Sequence, residues 1–250
     1  MSLEFKEIPW ELEGARAQIA FHMFQDVPIK TLLITLPEPA ICLNSREGFK
    51  RVKFVANSFN PPQLWDFVHE HWQTYEEEIF NTLDILPSET ALLSTGVDME
   101  NFSLAEEELQ EFRVSAFVTA GVSSNAMRVG VDRAGGIERN GKFEMQGTIN
   151  TIVLTNATLS EGAMTRAIIT ATEAKTLALQ DLDVQSSYNN NLQATGTGTD
   201  NVVIVSGRGP GINYTGGHSK LGELLARAVT CATRDAIVKN PENQITGGGN

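Results

Sequence analysis

The sequence predicts a single α/β domain, more fully an α+β mixture, in which helices pack a mixed, largely antiparallel sheet. Three observations predict it. Short β-favouring runs punctuated by proline and glycine fill the first 60 residues. Two long segments in the second half carry apolar residues at helical spacing. Between and after these lie apolar strand-like runs that end or begin in Gly/Thr turns. A chain of 250 residues suits one large domain or two small ones and buries a sizeable core, and one domain is the expectation. Residues 1–240 are expected to form it, with 1–60 the strand-rich part and 90–235 the part carrying motifs. The tail 241–250, above all from Gln244 onward, is expected to fray.

Composition narrows the function classes. Apolar residues make up 41% and charged residues 20%, as in soluble globular proteins. Nineteen Lys and Arg stand against 31 Asp and Glu, a formal net charge of −12. Nucleic acids are therefore not expected as partners, because neutralising phosphate needs clustered cations. No run of about 18 apolar residues appears, so no membrane span is expected. No basic segment leads into an apolar one as in a secretory signal, and the expected location is cytoplasmic. Cys42 and Cys231 lack C-x-x-C spacing and read as small buried hydrophobes in a reduced compartment.

In chain order, residues 17–21, 31–35, 40–43 and 51–55 read as a meander of short strands. Pro28, Pro37, Pro39 and Gly48 supply its turns. Asn60 is the expected N-cap of a helix with Pro61 in its first position. Leu64, Trp65, Val68, Trp72, Tyr75 and Ile79 form its buried face. His69 and His71, two apart in that helix, point to different sides and cannot share a metal. Residues 91–96 read as a strand ending in Thr95-Gly96. The acidic stretch 98–111 reads as an exposed helix or loop. A half-buried strand over 113–121 ends in Thr119-Ala-Gly121, and 133–146 reads as a hairpin loop.

The stretch 147–200 departs from ordinary packing, because polar residues sit inside its apolar pattern. A strand over 151–154 follows Thr148 and Asn150. A helix runs from about Glu161 to about Leu182, apolar on most sides, which makes Glu173 and Lys175 conspicuous. Thr195-Gly-Thr-Gly-Thr-Asp200 then leads into the interior-type strand 201–205. Its glycines let a ligand approach the backbone, and Thr195, Thr197 and Thr199 supply hydroxyls. It is no P-loop, since Gly-Lys-Ser/Thr is absent and a strand follows. A last helix begins near Gly217, with His218 at its N-terminus and Lys220 and Glu223 in the first turn.

Four constellations could carry chemistry. Glu173, Lys175 and Asp200 form a buried acid–base group or, more blandly, helix-surface charges. The Gly/Thr loop forms a ligand floor or an ordinary turn. His218 with Ser219, Lys220 and Glu223 supplies a base or a ligand, and Asp200, His218 and Glu223 are a conceivable divalent-metal set. Asn125 and Asn150, beside glycine turns, suit amide or carbonyl groups or satisfy the turns themselves.

Taken together, the segments 93–96, 118–122 with Asn125, 147–150, 171–175, 194–200 and 218–223 resemble the adenosylcobinamide amidohydrolase family, across roughly residues 90–235. The resemblance implies hydrolysis of the amide joining aminopropanol to the corrin ring of adenosylcobinamide, releasing adenosylcobyric acid for cobalamin salvage. The corrinoid is then the substrate. No cofactor is required, a divalent metal is possible, and a homo-oligomer is possible. From the residues themselves, Glu173 or Asp200 is expected to activate water and His218 to handle the leaving-group proton, with Lys175, Asn150 and free loop amides at the oxyanion. A covalent route through Thr197 or Thr199 is the alternative mechanism. Thr95, Gly96, Thr119, Gly121, Asn125, Thr148, Asn150, Thr195, Lys220 and Glu223 are the expected substrate contacts. A non-catalytic corrinoid-binding protein, or a threonine amidase or acyltransferase with another substrate, are the alternative functions.

Overall fold

The computed structural model describes residues 3–134 and 148–243. Its strands are β1 (Glu4–Leu12), β2 (Ala15–Phe24), β3 (Val27–Asn44), β4 (Gly48–Phe59), β5 (Thr90–Thr95), β6 (Ser103–Leu109) and β7 (Phe112–Ala120). They continue with β8 (Ala126–Met127), β9 (Ile149–Thr155), β10 (Thr158–Leu159), β11 (Gly196–Thr197), β12 (Asn201–Val205) and β13 (Gly211–Ile212). The helices are α1 (Trp65–Glu70), α2 (Trp72–Leu83), α3 (Glu161–Asp181) and α4 (Lys220–Lys239).

One nine-stranded sheet, in the order β1-β2-β3-β12-β9-β7-β6 with β4 and β5 branching from β3, organises the fold. It is mixed and mostly antiparallel; β4–β5 and β9–β12 are its parallel pairs. The sheet folds over at β3. The first half of β3 pairs with β2, its last residues pair with β12, and β4 runs beside both halves. Three apolar clusters then define four layers. Helices α3 and α4 cover the outer face of β7, β9 and β12. The inner faces meet around Leu32, Ile34, Leu93, Phe117, Ile152 and Val203. Helices α1 and α2 cover the outer face of β2 to β5.

Several local expectations change. Pro28, Pro37 and Pro39 lie within β3, which is one strand and not two. Pro37 and Pro39 survive because the β3–β4 register shifts between Thr35 and Ala40, where ladder donors are not needed, and Pro28 is second in β3, before pairing with β4 begins at Thr31. The acidic stretch holds β6, an edge strand whose glutamates deter pairing with another chain. The first helix breaks at His71, and Pro61, not Asn60, caps the short turn before it. The Asn60 amide instead donates to Ser94 Oγ. Cys42 is buried but Cys231 is exposed. The loop expected over 133–146 falls largely outside the described residues, as does the tail from Gln244. Asn243, by contrast, is held: its amide donates to Ala120 O at 2.9 Å and accepts from Val122 N at 2.9 Å.

The long helix matches its expected limits because both local and tertiary signals agree. Ser160 Oγ accepts from Ala163 N at 3.2 Å as an N-cap, and Ala163, Ala167, Ala171, Ala174 and Ala178 form a thin buried stripe. Ile169 and Leu177 are about half exposed, so α3 has an outer face that its composition conceals. Among the described residues no helix is long and apolar enough to cross a membrane.

Beneath α1 and α2 lies a titratable group. His22, only 2% exposed, shares a 2.9 Å hydrogen bond with Thr31 Oγ1, while its Nδ1 has no partner. Burial lowers its pKa to about 4. The folded state therefore favours neutral imidazole. That contribution is complete above the unfolded pKa of about 6.5 and is lost as pH falls towards about 4. The loss should reach on the order of 3 kcal/mol. Urea midpoints between pH 7 and 4 should fall less for His22→Gln than for the parent protein; parallel curves would exclude His22 as the source.

Candidate active site

The site lies at one end of the layered fold, where β4, β5 and β7 finish and β9 and β12 begin. The parallel pairing of Asn201 with Asn150 and the antiparallel pairing of Asn150 with Thr119 put these residues at the same level. Here the alternating pattern continues with side chains of the wrong polarity for a core. The result is a buried polar cluster capping the apolar layer between the sheets.

At its centre is Asn150, 1% exposed. Its amide nitrogen donates to Asn57 Oδ1 and to Ser94 O, each at 2.9 Å, and its oxygen accepts from Asn201 Nδ2 at 3.2 Å. Asn57 Nδ2 in turn donates to Thr119 Oγ1 at 3.0 Å. Five elements are joined in this way, and each buried amide is satisfied, as burial demands. Asn57 and Asn201 were not among the expected site residues. The signal for Asn57 was present: Asn57-Ser58 closes an otherwise β-favouring run in β4, the same polar-in-apolar pattern that marked Asn150.

Beside this cluster stands an ion pair. Lys175 reaches from α3 to Asp200, with the two side chains 9% and 13% exposed. Asp200 Oδ2 accepts from Lys175 Nζ and from Thr197 N at 3.0 Å. Its Oδ1 accepts from Thr197 Oγ1 at 2.5 Å and from Ile149 N at 3.1 Å. Gly196 makes the approach possible: a Cβ there would overlap Asp200 Oδ2 and stand 2.6 Å from Lys175 Nζ. The glycine is needed for space, not for backbone freedom.

The Gly/Thr loop is anchored on both flanks. Thr195 Oγ1 accepts from Val129 N at 3.0 Å, and β11 pairs with β8. Thr148 Oγ1 donates to Thr199 O at 2.7 Å. Gly121 N donates to Thr148 O at 3.1 Å, and Thr95 Oγ1 accepts from Val97 N at 3.1 Å, which tightens the turn at Gly96. Asn125 Oδ1 accepts from Tyr188 Oη at 2.8 Å. Thus Thr95, Gly96, Thr119, Gly121, Asn125, Thr148, Asn150, Lys175, Thr195, Thr197, Thr199 and Asp200 occupy one end of the fold.

Four expected residues lie elsewhere. Glu173 is exposed, because residues two apart on a helix point about 200° from each other and only Lys175 faces inward. His218 is exposed and sits one residue before the true N-cap, Ser219, whose Oγ accepts from Gly222 N at 3.0 Å. Lys220 and Glu223 pair with each other at 2.7 Å, and Arg227 adds a second cation to Glu223 at 2.8 Å. The hydrogen bond from Lys220 lowers the Glu223 pKa. All three residues belong to the opposite end. Helix α4 advances ten residues, about 15 Å, from Lys220 before Thr230 meets Ala174 O. The metal set Asp200, His218 and Glu223 is therefore not assembled. Among the described residues no three His, Cys, Asp or Glu side chains converge as ligands.

A buried lysine–carboxylate pair beside a threonine hydroxyl, framed by amides and glycine turns, makes this end the candidate active site of an α+β enzyme. Comparison with known proteins gives that class a family. The family model for adenosylcobinamide amidohydrolase matches residues 17–244, and the chain belongs to that family. An uncharacterized protein of Methanocaldococcus jannaschii is 47% identical over 227 residues, covering 86% of this chain and 89% of its own. The adenosylcobinamide amidohydrolase of Methanosarcina mazei is 32% identical over 216 residues, covering 80% and 90%. A crystal structure of a Pyrococcus horikoshii protein aligns over 84% of this chain and 77% of that one. Its identity is 12% and its TM-score 0.39.

Removing one partner of a buried ion pair strands the other charge. Lys175→Met and Asp200→Asn should each lower unfolding free energy by about 3 kcal/mol. The double variant should recover part of that loss. Strict additivity in denaturant titrations would show that the pair is not coupled.

Proposed function

We propose that this chain hydrolyses the amide joining aminopropanol to the corrin ring of adenosylcobinamide, giving adenosylcobyric acid. Family membership supplies the substrate class. The observation that carries the reading is the convergence of the turns on one end of the fold around buried Lys175 and Asp200. Only the His218 segment stands apart. A corrin ring fringed with neutral amides needs donors and acceptors in place of a basic surface, and this end offers them.

The roles are redistributed from those the sequence suggested. Glu173 and His218 are exposed away from Lys175 and Asp200, and this reading gives them no part as acid or base. Lys175 keeps its place as the group that stabilises the developing oxyanion. Its ammonium carries three donors, and Asp200 takes only one among the described residues. Such a cation, held in a water-poor setting before the reaction, needs no reorganisation as charge develops. Asn150 is fully engaged within the fold and holds the first residues of β9 in register instead of touching substrate.

Incubation with adenosylcobinamide should yield adenosylcobyric acid and aminopropanol, read by mass. Glu173→Gln and His218→Ala should retain turnover within about twofold, as expected of residues away from the chemistry. Lys175→Met should lose about a hundredfold or more in kcat, the scale of a lost oxyanion donor. Tight corrinoid binding without release of aminopropanol would instead identify a binding protein.

A further inference from the structure

We propose that Thr197 is the nucleophile and that the amide is cleaved through an acyl ester on its Oγ1, with Asp200 as the proton carrier. This rests on the amide-hydrolysis reading above. The argument begins with acceptor sites. A carboxylate offers about four lone-pair positions, and four donors occupy those of Asp200: Lys175 Nζ, Thr197 N, Thr197 Oγ1 and Ile149 N. No position is left to draw a proton from a water molecule while these bonds hold. Of the four donors, two are backbone amides, which do not give up protons in such chemistry, and one is the ammonium that balances the charge. The hydroxyl of Thr197 is the remaining proton that Asp200 is placed to accept.

The distance agrees. The 2.5 Å separation of Thr197 Oγ1 from Asp200 Oδ1 falls in the short range of hydroxyl-to-carboxylate bonds. Thr197 is 4% exposed, so the bond is shielded from competing water. Lys175 reaches the other oxygen of the same carboxylate, and Gly196 removes the Cβ that would part them. The arrangement follows a general rule for activated hydroxyls: nucleophile, proton acceptor and a third group that orients the acceptor.

The chemistry balances without an added reactant beyond water. Thr197 Oγ1 attacks the carbonyl carbon, its proton passes to Asp200 Oδ1, and negative charge develops on the carbonyl oxygen beside Lys175. The carbon–nitrogen bond then breaks, the proton moves from Asp200 to the departing amine, and aminopropanol leaves. A water molecule gives a proton to Asp200 and attacks the ester carbon. Thr197 Oγ1 regains the proton as the carbon–oxygen bond to it breaks, and the carboxylic acid is released.

Two measurements test this on the full chain. In the first, turnover of adenosylcobinamide is compared for the parent, Thr197→Ser and Thr197→Val, with rapid-quench peptide mapping. Serine should keep activity within about tenfold, valine should lose about a thousandfold or more, and the Thr197 peptide should carry the acyl mass. In the second, a small β-lactone, which acylates activated hydroxyls, is applied without corrinoid. It should label Thr197 in the parent and not in Asp200→Asn. Label at Thr197 with no adenosylcobyric acid formed would retain the nucleophile and reject the substrate. Turnover by Thr197→Val within tenfold of the parent, or absence of β-lactone label at Thr197, would overturn the proposal whatever the substrate.

Discussion

Everything at the candidate site hangs on one carboxylate. Asp200 stands one residue before β12, and its two oxygens gather donors from three places: helix α3, its own loop and the first amide of β9. The bond to Ile149 N ties the start of β9 to the start of β12, and the parallel register of these strands follows directly, from Asn201 opposite Asn150 onward. The ion pair to Lys175 ties the helix that crosses between them. A buried carboxylate costs several kcal/mol unless it is paired and fully hydrogen-bonded. Here the satisfaction of one group is the same act as assembling the loop, the strand and the helix.

The polar cluster next to it has a comparable logic. Between the two sheet layers the core is apolar until the level of Asn57, Thr119 and Asn150, where amides replace aliphatic side chains. An unpaired amide at that depth would cost about 1–3 kcal/mol, so each member constrains the position of the next. Side-chain amides linked across β4, β5, β7, β9 and β12 hold the facing layers at a fixed offset. The Gly/Thr loop outside them is thus supported on rigid elements, and a site needs such support to keep reacting groups in place.

How much of this was legible depended on whether a signal was local. Helix α3 could be read almost to the residue because the Ser160 cap and the alanine stripe lie within it. Asn150 and Lys175 could be found because they interrupt apolar patterns. The choice between Glu173 and Lys175 could not: both lie on a helix that composition makes look buried all round, and only packing against β12 and α4 reveals which side faces in. His218 misled for a related reason. It stands in a family-like segment beside a helix start, yet α4 runs roughly parallel to α3 and leaves that start at the far end. The prolines of β3 misled because the register shift that tolerates them is a property of two strands. β6 was hidden by its glutamates, which an edge strand accommodates and a central strand would not.

The location of the candidate site also runs against the usual expectation for a β-α-β unit. Parallel strands joined by a helix commonly bind ligands beyond their carboxyl ends. Strands β9 and β12 are joined by α3, yet Asn150, Lys175 and Asp200 lie towards the amino ends of these strands. At the carboxyl ends the loops after β9 and β12 are tied to each other, while a cavity lined by Leu36, Leu154, Thr155, Val205, Ser206 and Arg208 opens beside them. Asn156 spends its amide on Arg113 N at 2.8 Å and Glu111 O at 2.7 Å, Gly207 N donates to Ala157 O at 2.8 Å, and β10 pairs with β13 across the gap. A Cβ at Gly207 would overlap Asn156 O, so backbone already fills that space. The buried polar groups nevertheless gather at the other end. There β7, the antiparallel neighbour of β9, and the facing strands β4 and β5 contribute their carboxyl ends, and a single lysine from the crossover helix reaches the loop before β12.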